Sequence, residues 1–409
     1  MSESRFTRVA RALLTLVAAS LPLYVLRWQY GPFPTTLLEN LILATVAFYL
    51  IGCWREGSLR FHRTWLDVPI VLLLVSGAIA VIVARDHRAA LGLYRAYFIE
   101  PIAIFYVAAG LLAKAEHFRS LLVGFAVGTA AFAILNVAVF VAALVQNRIQ
   151  WGSPPSAIYG SANEVAMFLE PPLAFGAALV LIGRSSAERA LGAVWTGVVL
   201  FATILTFSRG GFLAIAAFVV FVIVSLSKAV RRPLLIAFGA GAIVFASTLL
   251  LGSHTPVVIH RLSLKALEYT SVTRFELYGA TLQMIVHHPL FGLGIGGYLY
   301  VYHNFPEIYP HDLLLTFWVE LGILGLVAFA YIYIRLMVTG WRALPSLSGF
   351  EHVLSFGALG SLVLWAVHGI FDTPYWKNDM SVEFWIVAAI LVAVLRGSRP
   401  DLTRPGSRG

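Results

Sequence analysis

The residues best suited to chemistry collect in one polar stretch, residues 253–322, of an otherwise apolar chain. This stretch contains the cation Arg274, the carboxylate Glu276 and, where it runs into the next apolar segment, His311 and Glu320. Guanidinium groups bind anions, and imidazoles exchange protons near neutral pH. A long polar insert between apolar segments is where we expect the chemistry of the protein.

Arg209 is the main candidate outside that stretch. It lies in the segment 207–212 (FSRGGF), a polar interruption between two apolar segments. One interpretation is a tight turn whose arginine extends to the lipid head groups. The other is an anion-binding corner, in which glycine lets the backbone approach a phosphate and the next helix presents its N-terminus. The sequence alone leaves both open.

Three further polar residues precede Arg209. Arg95 lies with Glu100 inside an apolar segment, which predicts either a buried ion pair or side chains facing a cavity. Arg88 is in the loop just before that segment, where we expect an exposed position within reach of the same cavity. Asn163 follows a stretch rich in Gly, Ser and Pro, so we expect it to cap the helix that begins there.

Within the polar stretch, residues 260–284 carry apolar side chains at helical spacing. They predict one or two amphipathic helices at the outer membrane surface, and Arg274 and Tyr278 share a face because they are four residues apart. The run 292–297 (GLGIGG) superficially looks like a dinucleotide-binding loop, but it follows no predicted strand. We expect these glycines to permit a sharp turn or close packing.

The composition identifies the class of protein. Hydrophobic residues make up 59% of the chain and charged residues 12%, with a mean hydropathy of +0.84. Apolar segments near 20 residues recur along the whole chain, as in polytopic helical membrane proteins, and no cleavable signal peptide is expected. The net charge of +9 reflects membrane topology rather than nucleic-acid binding, and the single Cys53 permits no internal disulfide and no thiolate metal site.

The predicted fold is all-α, with about twelve membrane spans and a large loop of amphipathic helices between spans nine and ten. The spans are predicted at 12–26, 35–54, 66–84, 92–113, 119–145, 165–183, 190–207, 211–227, 233–251, 312–338, 352–371 and 382–396. Residues 1–252 then hold spans one to nine, 253–311 the loop, 312–396 the last three spans and 397–409 a basic tail. An even number of spans places both termini on one side.

The distribution of cations predicts the orientation. If both termini are cytoplasmic, nineteen of the 29 Lys and Arg residues lie on the cytoplasmic side, as the positive-inside rule requires. The polar loop then faces outward. The ten remaining cations are Arg27, Arg85, Arg88, Arg95, Arg148, Arg209, Arg261, Lys265, Arg274 and Lys377.

Several short segments, in this order, resemble the O-antigen ligase and O-antigen polymerase superfamily of bacterial membrane glycosyltransferases. The segments are 208–211 (SRGG), 271–276 (SVTRFE), 288–294 (HPLFGLG), a histidine at the start of the next span, and 319–326 (VELGILGL). The number of spans and the large outer loop also match. One departure is Asp312 after His311, where the family more often has asparagine.

The resemblance implies a GT-C-like protein of the cytoplasmic membrane that takes a glycan from undecaprenyl diphosphate and transfers it to an acceptor hydroxyl at the outer face. Arg209 and Arg274 would then hold the diphosphate, helped by Arg95 and Arg88, because arginine can replace the metal that an Asp-x-Asp pair, absent from this sequence, would bind. His311 would be the general base. We expect no cofactor, no metal and inversion at the anomeric carbon, with supporting roles for Asn163, Glu276, Tyr278 and Glu320.

Alternatives remain at two levels. A ligase, with a lipid A-core sugar as acceptor, is the first prediction, but a polysaccharide polymerase or a protein O-oligosaccharyltransferase of the same superfamily would share these residues. In a different class, a flippase or exporter of the lipid-linked glycan would also need arginines for the diphosphate, although it needs no general base. A secondary transporter is disfavoured because no internal repeat is evident. The sequence leaves the oligomeric state open.

Overall fold

A computed structural model describes residues 4–31, 33–57, 63–149, 154–226, 264–302 and 305–398. The described residues are 78% helical. In chain order the helices are α1 (Arg5–Ala19), α2 (Leu37–Arg55), α3 (Asp67–Val83), α4 (His87–Tyr94), α5 (Glu100–Leu111), α6 (Ala115–Val145), α7 (Ala162–Ile182), α8 (Ser186–Ile204), α9 (Arg209–Ser225), α10 (Leu264–His287), α11 (Leu313–Ala343), α12 (Gly349–His368) and α13 (Asn378–Ser398). A π-helical turn, Arg95–Ile99, joins α4 to α5.

Eight helical segments in the described ranges are long and apolar enough to cross a membrane: α2, the continuous segment α4–α5, α6, α7, α8, α11, α12 and α13. The helices α3 and α9 are apolar but shorter. The protein is therefore a multi-pass membrane protein, as predicted. The count of twelve stays a prediction, because the ninth span (233–251) and the loop residues 253–263 lie outside the described residues.

Several details differ from the predicted elements. The first helix begins at Arg5 rather than near residue 12 and is followed by a 3-10 turn, Leu21–Val25. Arg88 lies in helix α4 rather than in a loop. Two short antiparallel hairpins interrupt the helices, one from β1 (Arg27–Tyr30) and β2 (Phe33–Thr36) and one from β3 (Tyr300–Tyr302) and β4 (Phe305–Glu307). The described part of the polar loop holds one long helix, α10, before the second hairpin.

Small residues allow the helices to pack closely. Gly124 and Gly128 on α6 face the end of α1, where an added Cβ would lie 2.4 Å from the carbonyl oxygen of Thr15 and 2.1 Å from that of Ala19. This small-xxx-small spacing is typical of helix contacts in membranes, where close packing replaces the hydrophobic effect as the source of stability. Helix α7 packs against both α8 and α12, and nearly every residue of α7 is buried.

Short polar side chains set the starts of the helices that carry the candidate site residues. Ser161 caps α7 through the amide of Glu164, Ser208 caps α9 through Gly211, and Asp312 caps α11 through Leu315. The prediction that Asn163 caps α7 is wrong, since Ser161 makes that bond. Asn163 lies one residue inside the helix, and its amide group is free to contact another element.

Helix α11 is broken at Gly322, whose φ of 73° and ψ of −177° are not helical. The glycine-rich run and the residues just before it satisfy the polar groups at the break: the amide of Leu293 donates to the carbonyl of Val319 at 2.7 Å, and the amide of Ile323 donates to the carbonyl of Pro289 at 3.1 Å. An added Cβ on Gly322 would lie 2.0 Å from the carbonyl oxygen of Leu290. The glycines at this contact are therefore required by packing.

Glu320 sits beside this break and is buried. Its carboxylate accepts a hydrogen bond from the amide of Gly296 at 2.8 Å. Gly292, Gly294 and Gly296 all have positive φ, which is the conformation that residues other than glycine avoid. Glu320 thus holds the glycine-rich turn against α11.

Gly322→Ala is expected to destabilise the protein by at least about 3 kcal/mol, because it combines a glycine-only backbone conformation with a clash against backbone. Thermal unfolding in detergent measures the effect. The matched control is Gly57→Ala: Gly57 also has a positive φ (63°) but has no atom within 4 Å of an added Cβ, so only about 1–2 kcal/mol is expected. Equal losses in the two variants would contradict the assigned packing role.

Candidate active site

The loop that ends at His311 is fixed at the junction between α11 and α12. His311 has a φ of 55°, a left-handed conformation that is uncommon outside glycine. Directly after it, the amide of Leu313 donates to the carbonyl of Gly369 at 2.7 Å. Strained backbone of this kind persists where surrounding contacts hold it, and it is frequent at functional sites.

The imidazole of His311 lies between two carboxylates. Its Nδ1 is 3.2 Å from Oδ1 of Asp372, which follows α12, and its Nε2 is 3.2 Å from Oε2 of Glu307 at the end of β4. The histidine side chain is 23% exposed, whereas that of Asp372 is 4% exposed. Both ring nitrogens therefore have an acceptor, and only the Glu307 side opens toward solvent.

These contacts change the protonation of the site. Burial alone would lower the pKa of His311, but the charge and hydrogen bond of Asp372, with the hydrogen bond to Glu307, outweigh it and raise the pKa from 6.5 to about 9. Burial alone would raise the pKa of Asp372, yet the positive charges of His311 and Arg274 hold it well below its usual range. At neutral pH the pair is an imidazolium facing a carboxylate.

Arg274 and Tyr278 bind the same loop from helix α10. Nη1 of Arg274 donates to the carbonyl of His311 at 3.4 Å, and the hydroxyl of Tyr278 lies 3.3 Å from the same oxygen. Tyr278 also donates to the carbonyl of Ile370 at 2.7 Å. The prediction that these two residues share a helix face agrees with this geometry. They fix the position of α10 over the junction of α11 and α12.

Arg209, the first residue of α9, lies close enough to Arg274 for their like charges to repel each other. The next residue, Gly210, is in contact with the ring of His368, since an added Cβ would lie 2.8 Å from Cδ2 and Nε2. His368 is itself fixed by Glu170, whose carboxylate is 2.5 Å from Nδ1 in a fully buried pair. The structure therefore brings Arg209, Arg274 and His311 together around the end of α12.

A second set of contacts runs from His311 to the start of α7. The ring of Tyr309 is edge-on to that of His311 at 4.9 Å, and its hydroxyl is 3.4 Å from Glu164. Glu164 also pairs with Lys377 at 3.1 Å. Its neighbour Asn163 donates to Oδ2 of Asp372 at 3.3 Å. Asn163 thus contacts the site through Asp372 rather than through a helix cap.

The remaining predicted residues lie apart from this cluster in the contacts that the structure describes. Arg95 pairs with Glu39 at 2.9 Å and with Glu100 at 3.1 Å. These contacts agree with the first of the two predictions for Arg95, an ion pair with Glu100. Arg88 is exposed on α4, and Glu276 is exposed on α10. Glu320 binds the glycine-rich turn.

Sequence reasoning missed the two carboxylates that contact His311. Asp372 and Glu307 lie 61 and 4 residues away from it. One signal was present in the sequence: His368 and Asp372 are polar residues at the end of the predicted eleventh span, where ionisable groups are rare without a function. Their partners, however, come from other elements and could not be deduced.

Between pH 6 and pH 10, Asp372→Asn is expected to destabilise the protein most at the lower end of the range. Because the folded pKa of His311 is raised, its charged pair with Asp372 contributes fully below the ordinary value of 6.5 and is lost as the pH rises through about 9. Breaking a buried pair costs about 3–5 kcal/mol. Thermal unfolding in detergent as a function of pH measures this, with the exposed Glu351→Gln as control. A loss that does not vary with pH would be contrary to this assignment.

The geometry agrees with a comparison against known protein families. Residues 191–330 match the family model described as O-antigen ligase (Wzy_C). The matched segment includes Arg209, Arg274, Glu307 and His311 and ends before Asp372. No curated protein matches the chain. This match, over residues 191–330, supports the resemblance to the O-antigen ligase and polymerase superfamily that was found in the sequence.

Proposed function

We propose that this protein transfers a glycan from undecaprenyl diphosphate to an acceptor hydroxyl at the outer face of the cytoplasmic membrane. The observation that carries the proposal is the placement of Arg209 and Arg274 beside the loop of His311. Two cations and a titratable group in one place are the parts that displacement of a diphosphate by a hydroxyl requires.

The two arginines supply the binding site for the leaving group. Their like charges repel each other, so an anion that contacts both arginines is stabilised. A diphosphate gains negative charge as the glycosyl bond breaks, and preorganised guanidinium groups stabilise that charge in the transition state. Gly210 packs against the ring of His368 and so fixes the backbone next to Arg209, which orients Arg209 toward the diphosphate.

His311 is the proposed general base, and its surroundings determine how it acts. As an imidazolium it cannot accept a proton, so a proton must first leave Nε2. We propose that the carboxylate of Glu307 takes the Nε2 proton as the acceptor hydroxyl replaces Glu307 at Nε2, while Asp372 keeps its hydrogen bond from Nδ1–H. Loss of the Glu307 hydrogen bond lowers the pKa of His311, which favours the neutral imidazole that faces the hydroxyl.

The reaction that follows is a single displacement. Nε2 takes the hydroxyl proton, the acceptor oxygen forms a bond to the anomeric carbon, and the bond from that carbon to the diphosphate oxygen breaks. The electron pair leaves with undecaprenyl diphosphate, whose charge the arginines hold. This scheme inverts the anomeric configuration and requires no covalent intermediate. Arg95 and Arg88 keep only an auxiliary predicted role, since Arg95 already pairs with two carboxylates.

The outward orientation of the site belongs to the same proposal. The site lies where α12 ends and α11 begins, and these ends are poorer in cations than the opposite ends of the helices. A site facing outward can use a lipid-carried donor, whereas nucleotide sugars are confined to the cytoplasm.

The acceptor distinguishes a ligase from a polymerase, and both activities fit this site equally. A protein O-oligosaccharyltransferase differs likewise only in its acceptor. Glycan analysis of a deletion strain separates the first two: full-length polymer left on the carrier lipid indicates a ligase, whereas carrier-linked single repeat units indicate a polymerase.

His311→Ala is expected to reduce transfer in reconstituted membranes by about 10²–10⁴-fold while donor binding stays nearly unchanged. Arg274→Gln is expected to weaken donor binding as well, because it removes a phosphate contact. The assay pairs product formation with binding of a labelled lipid diphosphate. Transfer at a near-normal rate in His311→Ala would reject His311 as the base. Donor binding by the wild-type protein without any product would favour a flippase, which needs the cations but no base.

The pH dependence of transfer tests the state of His311. If the neutral form is the base, kcat/KM of the wild-type protein, which reports the state without acceptor, rises with pH with an apparent pKa near 9. In Glu307→Gln this rise moves to lower pH, because a hydrogen bond that favours the imidazolium is weakened. A rate that instead falls as the pH passes 9 would mean that the imidazolium is the active form, acting as a third cation for the diphosphate.

A further inference from the structure

An apolar crevice lies between α6 and α8 at the opposite end of the bundle from His311. Its volume is about 640 Å³, and its walls include Leu122, Val123, Leu191 and Trp195. The residues come from the first turns of α6 and α8, whereas the candidate active site lies where α12 ends. The crevice is thus separate from the transfer chemistry.

The crevice opens to the lipid-facing surface of the helices. Val123 and Leu191 on its walls are 51% and 50% exposed, and the adjacent Val127 and Val194 are 62% and 68% exposed. In a multi-pass membrane protein such a surface faces hydrocarbon rather than water. The ligand that this crevice suits therefore carries an acyl chain.

Two arginines lie at the mouth of the crevice. Arg119 pairs with Glu188 at 2.9 Å and lies 5.0 Å from the centre of the Phe350 ring. Arg184 lies against Gly349, and among the described residues no carboxylate pairs with its guanidinium. With one carboxylate for two cations, the mouth keeps a net positive charge.

The hydrogen bonds of Glu188 leave Arg119 and Arg184 able to bind a further anion. Glu188 forms a capping box with Ser185, and its Oε2 also accepts the amide of Arg184 at 2.9 Å. Hydrogen bonds from the start of α8 therefore occupy this carboxylate. Arg119 and Arg184 retain N–H donors for a further anion. Both residues lie near helix starts, and the ends of membrane-spanning helices reach the lipid head groups.

We propose that this crevice binds a glycerophospholipid with an anionic head group, with its phosphate at Arg119 and Arg184 and one acyl chain between α6 and α8. Charge complementarity selects the anionic head group, and the apolar walls select a lipid over a soluble phosphate. The bound lipid joins α6, α8 and the start of α12, three elements that pack around α7. It would strengthen the bundle without taking part in transfer.

The test uses the full-length protein in nanodiscs of phosphatidylcholine with and without phosphatidylglycerol. Native mass spectrometry counts the lipids retained, and titration with phosphatidylglycerol gives the affinity. Arg119→Gln combined with Arg184→Gln should lower this affinity by about 30-fold, for two basic residues at a head group. Arg189→Gln is the control, since Arg189 is an exposed arginine on α8 that does not line the crevice.

A second variant tests the acyl chain without changing any charge. Val123→Trp fills the outer part of the crevice at a lipid-exposed position and should lower the affinity by about tenfold or more. Retention of phosphatidylglycerol by both variants at the wild-type level would overturn the proposal. Binding of phosphatidylcholine as tight as that of phosphatidylglycerol would overturn the head-group selectivity. Stabilisation by soluble glycerol phosphate equal to that by phosphatidylglycerol would overturn the assignment of a lipid.

Discussion

The charged pair between His311 and Asp372 is the interaction on which the arrangement of the candidate site depends. Asp372 is almost fully buried after α12, and a carboxylate in that position is unfavourable unless a cation and hydrogen-bond donors surround it. His311 supplies the cation, and Asn163 adds a donor from α7. Because the loop before α11 must place the histidine there, it accepts a left-handed backbone at His311.

The balance of charge around this pair explains why the two arginines are tolerated. Arg209, Arg274 and the imidazolium of His311 place three positive charges near one another, and Asp372 and Glu307 place two negative charges among them. The two carboxylates offset part of this positive charge, and the proposed diphosphate would offset more. In the proposed reaction the departure of Glu307 leaves the net charge unchanged, because His311 loses its own positive charge in the same step.

The parts of the site that sequence reasoning identified are those whose chemistry is carried by single residues in polar interruptions. Arg209, Arg274 and His311 stand out because a membrane protein keeps few ionisable groups near its spans, and the apolar segments located most of the helices. Asp372 and Glu307 could not be found in this way, because their role depends on contacts with His311 that only the folded structure shows. Asn163 was misassigned because its local context predicted a cap, whereas Ser161 two residues earlier fulfils that role.

The break in α11 determines how these parts remain aligned. Residues 313–321 form a short first segment that begins at the histidine loop and ends at Gly322, where Leu293 of the glycine-rich run and the preceding Pro289 supply the missing backbone hydrogen bonds. That run follows α10 directly, and α10 carries Arg274 and Tyr278. The first part of α11, the glycine-rich run and α10 are consequently one connected unit. Arg274 and His311 belong to this unit, so the distance between the proposed phosphate-binding group and the proposed base is held by backbone contacts as well as by their own hydrogen bond.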